Sequence, residues 1–99
     1  MAEKTFGLFF TPGLGPGDAI KAMLDANSDV IYWYSCLPFA IFLTSEKTAE
    51  ELTDWLLAAT NKRGRFIFID LSGTEKNGWL PKDAWALMRN PAFRAEKRG

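Results

Sequence analysis

Histidine is absent from this 99-residue chain, and cysteine occurs once, at Cys36. Without imidazole there is no Ser-His or Cys-His nucleophilic pair, and most zinc and transition-metal sites lose their usual ligand. One cysteine excludes an internal disulfide. Cys36 lies in an apolar stretch, where a free thiol is expected to behave as a small hydrophobe rather than a reactive group. No apolar run approaches the ~20 residues that span a bilayer. The start, Met1-Ala2-Glu3-Lys4, lacks the h-region and cleavage site of a signal peptide, so the expected location is cytoplasmic. Net charge is missing too, with 12 basic residues balancing 12 acidic ones. A net-basic footprint for nucleic acid is therefore absent. Local basic clusters remain at Lys62, Arg63 and Arg65 and at Arg89, Arg94, Lys97 and Arg98.

What the chain does have is apolar residues, 47% of the total. That excludes a disordered chain, and the length suits one domain able to bury roughly two thirds of its extended surface. Period-two alternation predicts a first strand over Lys4–Thr11, with Phe6, Leu8 and Phe10 on one side and Gly7, Phe9 and Thr11 on the other. A loop rich in Pro and Gly follows, Thr11 to Gly17. Ile20, Met23 and Leu24 then make an apolar stripe on a helix over about Gly17 to Ala26.

Strands are predicted over about Val30 to Ser35 and Phe39 to Ser45, with Pro38 at the turn because it cannot donate a ladder hydrogen bond. Thr48-Ala49-Glu50-Glu51 is a capping box that opens a second helix. Its expected stripe is Leu52, Trp55, Leu56 and Ala59, and Gly64 is placed for a left-handed cap. A fourth strand is expected over Arg65 to Ser72. A third helix is expected over about Pro81 to Met88, within a C-terminal segment 79–90, followed by a frayed basic tail over 91–99.

The element order is βαββαβ, which predicts an α+β, ferredoxin-like sandwich with an additional C-terminal helix. Both main helices should cover one face of a four-stranded antiparallel sheet of order 4-1-3-2. The core should fall within residues 4–73 of a single domain. Such a sheet would turn Phe9, Phe42 and one apolar set of the fourth strand away from those helices, where polar residues are normally found. Two covers suggest themselves, the third helix and a second copy of the chain. They are compatible, and a homodimer is expected.

Candidate sites are few. Asp70, ending an apolar strand, is the best single carboxylate for chemistry, with Asp29 or Glu75 as a partner. A solvated strand-end role is the more ordinary reading. Tyr32 and Tyr34 beside Trp33 would suit a partner surface or base stacking, with Lys62, Arg63 and Arg65 supplying phosphate contacts. Cross-strand packing is the plainer use of such rings. Trp79 and Trp85 flank the third helix and are candidates for partner binding, because tryptophan is enriched at interface hot spots. The loop Gly13-Leu14-Gly15-Pro16-Gly17 matches neither the dinucleotide fingerprint nor the phosphate loop, since Asp18 stands where a glycine is needed and no Gly-Lys-Ser/Thr follows. No cofactor and no metal site are expected.

Four segments together resemble the SinR-type group of small ferredoxin-like proteins: the Pro-Gly loop before the first helix, Tyr32-Trp33-Tyr34 through Pro38-Phe39-Ala40-Ile41-Phe42-Leu43-Thr44, Thr48-Ala49-Glu50-Glu51-Leu52, and Phe66-Ile67-Phe68-Ile69-Asp70-Leu71-Ser72-Gly73. That group looks related to the small CRISPR-associated dimer that supports spacer integration and to toxin nucleases of similar shape. The resemblance covers residues 4–73. It implies a dimerising unit, in some members with metal-dependent ribonuclease activity. Nuclease-type members carry an aspartate at the end of the first strand, where this chain reads Phe9-Phe10-Thr11. Without that carboxylate a hard cation lacks its anchoring oxygen, so nuclease activity is not expected to carry over. The leading expectation is a non-catalytic interaction module that binds a macromolecular partner. By analogy of fold and size, it would suit a phage or mobile-element accessory or inhibitor role. The alternatives are a nucleic-acid-binding protein or degenerate nuclease, and a small Mg-dependent hydrolase using Asp70.

Overall fold

Alternation in β1 (Lys4–Phe10) organises a computed structural model of the chain, which describes residues 3–96. β1 lies inside a four-stranded sheet, between β3 (Ala40–Ser45) and β4 (Phe66–Asp70), with β2 (Val30–Leu37) beyond β3. All neighbouring pairs are antiparallel. Phe6, Leu8 and Phe10 point to one face, where α1 (Gly17–Ala26) and α2 (Ala49–Thr60) bury them with Ile20, Leu24, Ile41, Leu43, Leu52 and Leu56. A fully buried side chain of this size is worth about 1.5–3 kcal/mol, so this cluster is the main core.

Local chemistry fixes the helix ends. The Pro16 carbonyl accepts from the amides of Ala19 and Ile20 to open α1. The Trp33 indole N–H donates to Asp25 Oδ1 at 2.8 Å and ties the far end of α1 to β2. At α2 both halves of the capping box form. The Glu51 amide donates to Thr48 Oγ1 (3.1 Å), and the Thr48 amide donates to Glu51 Oε1 (3.0 Å).

The stripe on α2 ends on Thr60, not Ala59. Ala59 is exposed, whereas Thr60 is buried and donates its hydroxyl to the Leu56 carbonyl at 2.7 Å. The left-handed residues that stop α2 begin at Asn61 and Lys62, before the expected Gly64. Gly64 also has positive φ, but close approach is its stricter demand. A Cβ there would lie 2.3 Å from the Leu14 backbone nitrogen. The Pro-Gly loop is accordingly packed against the end of α2, with Leu14 of a short 3-10 turn (Pro12–Leu14) fully buried.

The opposite face is covered by α3 (Lys82–Arg89), which begins one residue after the expected Pro81. Ala84, Leu87 and Met88 pack onto Tyr32, Tyr34, Phe42 and Leu71. The Thr5 hydroxyl donates to the Leu87 carbonyl at 2.8 Å and satisfies one acceptor that the helix end leaves open. The tail is anchored where fraying was expected. The Ala95 amide donates to the Tyr32 hydroxyl (2.8 Å), Phe93 packs on the same cluster, and the Arg94 guanidinium lies over the Tyr32 ring at 4.6 Å. Lys97 and Arg98 lie outside the described residues.

β1 and β3 are each one residue shorter than the sequence expectation, and the other two strands differ from it by more. β2 continues through Cys36 and Leu37, because two register shifts let it turn late into the Pro38-Phe39 corner. β4 is shorter than expected, although Arg65 still bonds Thr11 through its backbone carbonyl and amide, and the Leu71 amide still donates to the Thr5 carbonyl.

Thr5 and Thr44 stand directly opposite each other, both buried, but only Thr5 finds a partner. Thr5→Val should therefore destabilise by about 1–3 kcal/mol, since it strands the Leu87 carbonyl. Thr44→Val should be neutral or stabilise by about 1 kcal/mol. Urea unfolding with unchanged m-values checks both.

Thr48 hydrogen bonds hold the Glu51 carboxyl below the usual carboxylate range. A lowered folded-state pKa gives stability that is present above the unfolded value of about 4.3 and is lost as pH falls through the folded one. Thermal melts should thus separate the parent chain from Glu51→Ala at neutral pH and converge in acid.

Candidate interaction surface

Cover on the second face fails row by row. One row across the sheet, Leu71–Thr5–Thr44–Tyr32, lies beneath α3 and is buried throughout. The next, Ile69–Gly7–Phe42–Tyr34, is buried at Phe42 and Tyr34, but Ile69 is 39% exposed. The third, Ile67–Phe9–Ala40–Leu37, is open at its two ends, with Ile67 55% and Leu37 37% exposed, while Phe9 is half-buried and Ala40 buried. The reason is length. Eight helical residues span ~12 Å, whereas the seven residues of β1 span ~24 Å.

Between covered and open rows lies a cavity of about 330 Å³. Phe42, Leu71 and Met88 line it on the α3 side, and Phe9 and Leu37 on the open side. Glu75, Lys76 and Asn77 add polar lining. A Cβ on Gly7 would come 2.7 Å from the Phe9 ring, which would then have to swing aside. The ring thus lies along its own strand. Trp79, in the loop between the lining residues Asn77 and Leu80, is 98% exposed. A fully exposed indole is an unusual use of apolar area on a small domain.

The other expected site residues fall elsewhere. Tyr32 and Tyr34 were expected at a partner surface, but both are buried under α3 and its following turn, so they offer no face to a base or a partner. Burial raises the Tyr34 hydroxyl above its ordinary range, and Cys36, Asp83 and Tyr32 push the same way. Trp85 is half-buried in that cluster.

Asp70 is half-buried, and its Oδ1 accepts from the Ser72 amide at 2.9 Å, a strand-end turn. Among the described residues no three carboxylate or thiol groups converge as a metal site would require. Lys62, Arg63 and Arg65 sit together in the turn before β4, where Arg63 Nε donates to the Thr60 carbonyl at 3.0 Å. No helix among the described residues is long and apolar enough to cross a membrane.

Sequence reasoning anticipated surplus apolar residues on Phe9 and β4 but not Leu37. That residue joins the open row through the register shift between Tyr34 and Leu37, for which the residue pattern carries no signal. Comparison with protein-family models, curated proteins and solved structures finds no match to this chain.

Cys36 packs against the α3 cluster, and burial pushes its thiol pKa up. Only the thiolate reacts. Alkylation by iodoacetamide at pH 8 should therefore run several-fold slower than for free cysteine, and its rate should keep rising with pH where the free thiol has levelled off. Stopped-time mass spectrometry across pH checks this.

Proposed function

We propose that this chain is a non-catalytic interaction module, a ferredoxin-like βαββαβ unit that works as a homodimer through the part of its sheet that α3 leaves bare. The observation that carries this reading is the exposure of Ile67 and Ile69 side by side on β4. Two neighbouring β-branched apolar residues on an edge strand cost solvation free energy unless they are covered, at about 25 cal/mol per Å². A second copy brings the same need to the same place, as a two-fold interface requires. The dimerising unit implied by the resemblance to SinR-type proteins agrees with this reading. The altered end of β1, Phe9-Phe10-Thr11, agrees with its being non-catalytic.

Nucleic-acid binding is the weaker reading. Its stacking residues, Tyr32 and Tyr34, are spent on the domain's own packing. The rings that do lie beside the basic cluster, Phe9, Phe10 and Phe66, line a hollow with Arg65 but are themselves buried or half-buried.

Analytical ultracentrifugation tests the proposal. The parent chain should sediment as a dimer at micromolar concentration. Ile67→Lys combined with Ile69→Lys should sediment as a monomer with an unchanged far-UV circular dichroism spectrum, since both positions are exposed in the single copy. A parent chain that stays monomeric at the highest soluble concentration would overturn it.

A further inference from the structure

The two edges of the sheet are not alike. β2 is interrupted by register shifts at Val30/Tyr32 and at Tyr34/Leu37, irregularities that blunt an edge against further pairing. β4 has none. Its register with β1 is unbroken from Phe66 to Asp70, and it contains no lysine, proline or glycine.

The hydrogen-bond phase of β4 can be read from its two ends. The Thr11 amide donates to the Arg65 carbonyl, and the Leu71 amide donates to the Thr5 carbonyl. Antiparallel ladders alternate, so Arg65, Ile67, Ile69 and Leu71 turn their backbone groups toward β1. Phe66, Phe68 and Asp70 turn theirs outward. Among the described residues, no hydrogen bond from a loop or side chain reaches those outward groups.

Resting on the reading of the chain as a homodimer, we infer that two copies join β4 to β4 in antiparallel register centred on Phe68, making one continuous eight-stranded sheet. In that register Phe68 faces Phe68 of the second copy, Phe66 faces Asp70, and Ile67 faces Ile69. Every outward N–H and C=O of the strand then finds a partner. A slip of two residues either way leaves one residue unpaired, and a slip of one puts the apolar sets on opposite faces.

Charge supports the same orientation. Lys62, Arg63 and Arg65 precede the strand, while Asp70 and Glu75 mark its other end. Lys76, next to Glu75, is turned back onto the carbonyls of Leu71 and Thr74. Antiparallel pairing sets the basic end of each copy beside the acidic end of the other, twice. Cross-strand contact between Ile67 and Ile69 of the two copies covers the most exposed part of the open row.

Single-cysteine variants of the full chain test the register, made in a Cys36→Ala background so that no other thiol is present. Ile67→Cys and Ile69→Cys are exposed positions that should fold as the parent does. Each is oxidised alone and as an exchanged mixture, alongside sedimentation of the Cys36→Ala chain. Directly opposed residues that are not hydrogen-bonded to each other lie ~4.5 Å apart at Cα, within disulfide reach, whereas the 67–67 and 69–69 separations exceed the ~7 Å limit.

The mixture should give disulfide-linked dimer at about ten-fold or more above either variant alone. Crosslinking of Ile67→Cys with itself, or of Ile69→Cys with itself, would place the centre elsewhere and overturn this register. So would a sedimenting dimer with no crosslink in any sample, and in both cases the homodimer reading would stand. A monomer by sedimentation overturns both.

Discussion

The contact on which the rest of this structure depends is the seating of α3 over β2 and β3, pinned to β1 by one hydrogen bond. Its Leu87 and Ala84 side chains are fully buried, and its Leu87 carbonyl takes the Thr5 hydroxyl. A β-sheet with apolar residues on both faces needs two covers, and the α1–α2 layer supplies only one. The second is a two-turn helix held at one end by Thr5. It is extended by a C-terminal turn in which the Ala95 amide meets the Tyr32 hydroxyl. Because that anchor sits at the Thr5 row, cover is complete there and runs out towards Phe9. The bare strip is thus a consequence of where α3 is pinned and how short it is, not an independent feature of the surface.

The sheet edges follow a related logic. β2 buries Tyr32, Trp33 and Tyr34 on alternate faces and breaks its register with β3 twice. β4 stays regular because it must pair closely with β1 while Phe66 and Phe68 pack edge-to-face on the helical side. Regularity leaves the outward backbone groups of β4 evenly presented. It also keeps Ile67 and Ile69 together on the other side. The apolar pair and the open ladder are therefore two expressions of one unbroken strand, and a partner that satisfies one is positioned to satisfy the other.

Much of the fold was legible in the residue pattern because local rules govern it. The capping box at Thr48 and Glu51, the Ile20–Leu24 stripe and the alternation of β1 each name their own element. What could not be read depends on distant partners. Gly64 suits a left-handed cap on sequence grounds, but its stricter constraint is the backbone of Leu14, far away in the chain. The tail looks frayed as a string of charges, until Tyr32 and its ring supply a hydrogen bond and a cation–π contact. Packing is the plainer sequence reading of Tyr32 and Tyr34, and the presence of α3 above them supplies the cover that reading needs. The open row was half legible. An apolar surplus on β1 and β4 follows from alternation, but its extension to Leu37 depends on a register shift that no residue type announces.

Where a small domain spends its chemistry also bears on what it is for. The most distinctive polar groups here are all committed to structure: Thr5 to a helix end, Asp25 to the Trp33 indole, Asp70 to the Ser72 amide, and Glu51 to its own cap. None of these bonds converges on the 330 Å³ cavity, whose lining is mostly apolar, or on the open row beside it. Reaction centres need positioned acids, bases or ligands facing a common point. The exposed apolar groups of this face, Leu37 on β2 and Ile67 and Ile69 on β4, lie instead towards the two edges of the sheet. Such a surface gains free energy by excluding water over an area and by completing a ladder. Those are the terms of association.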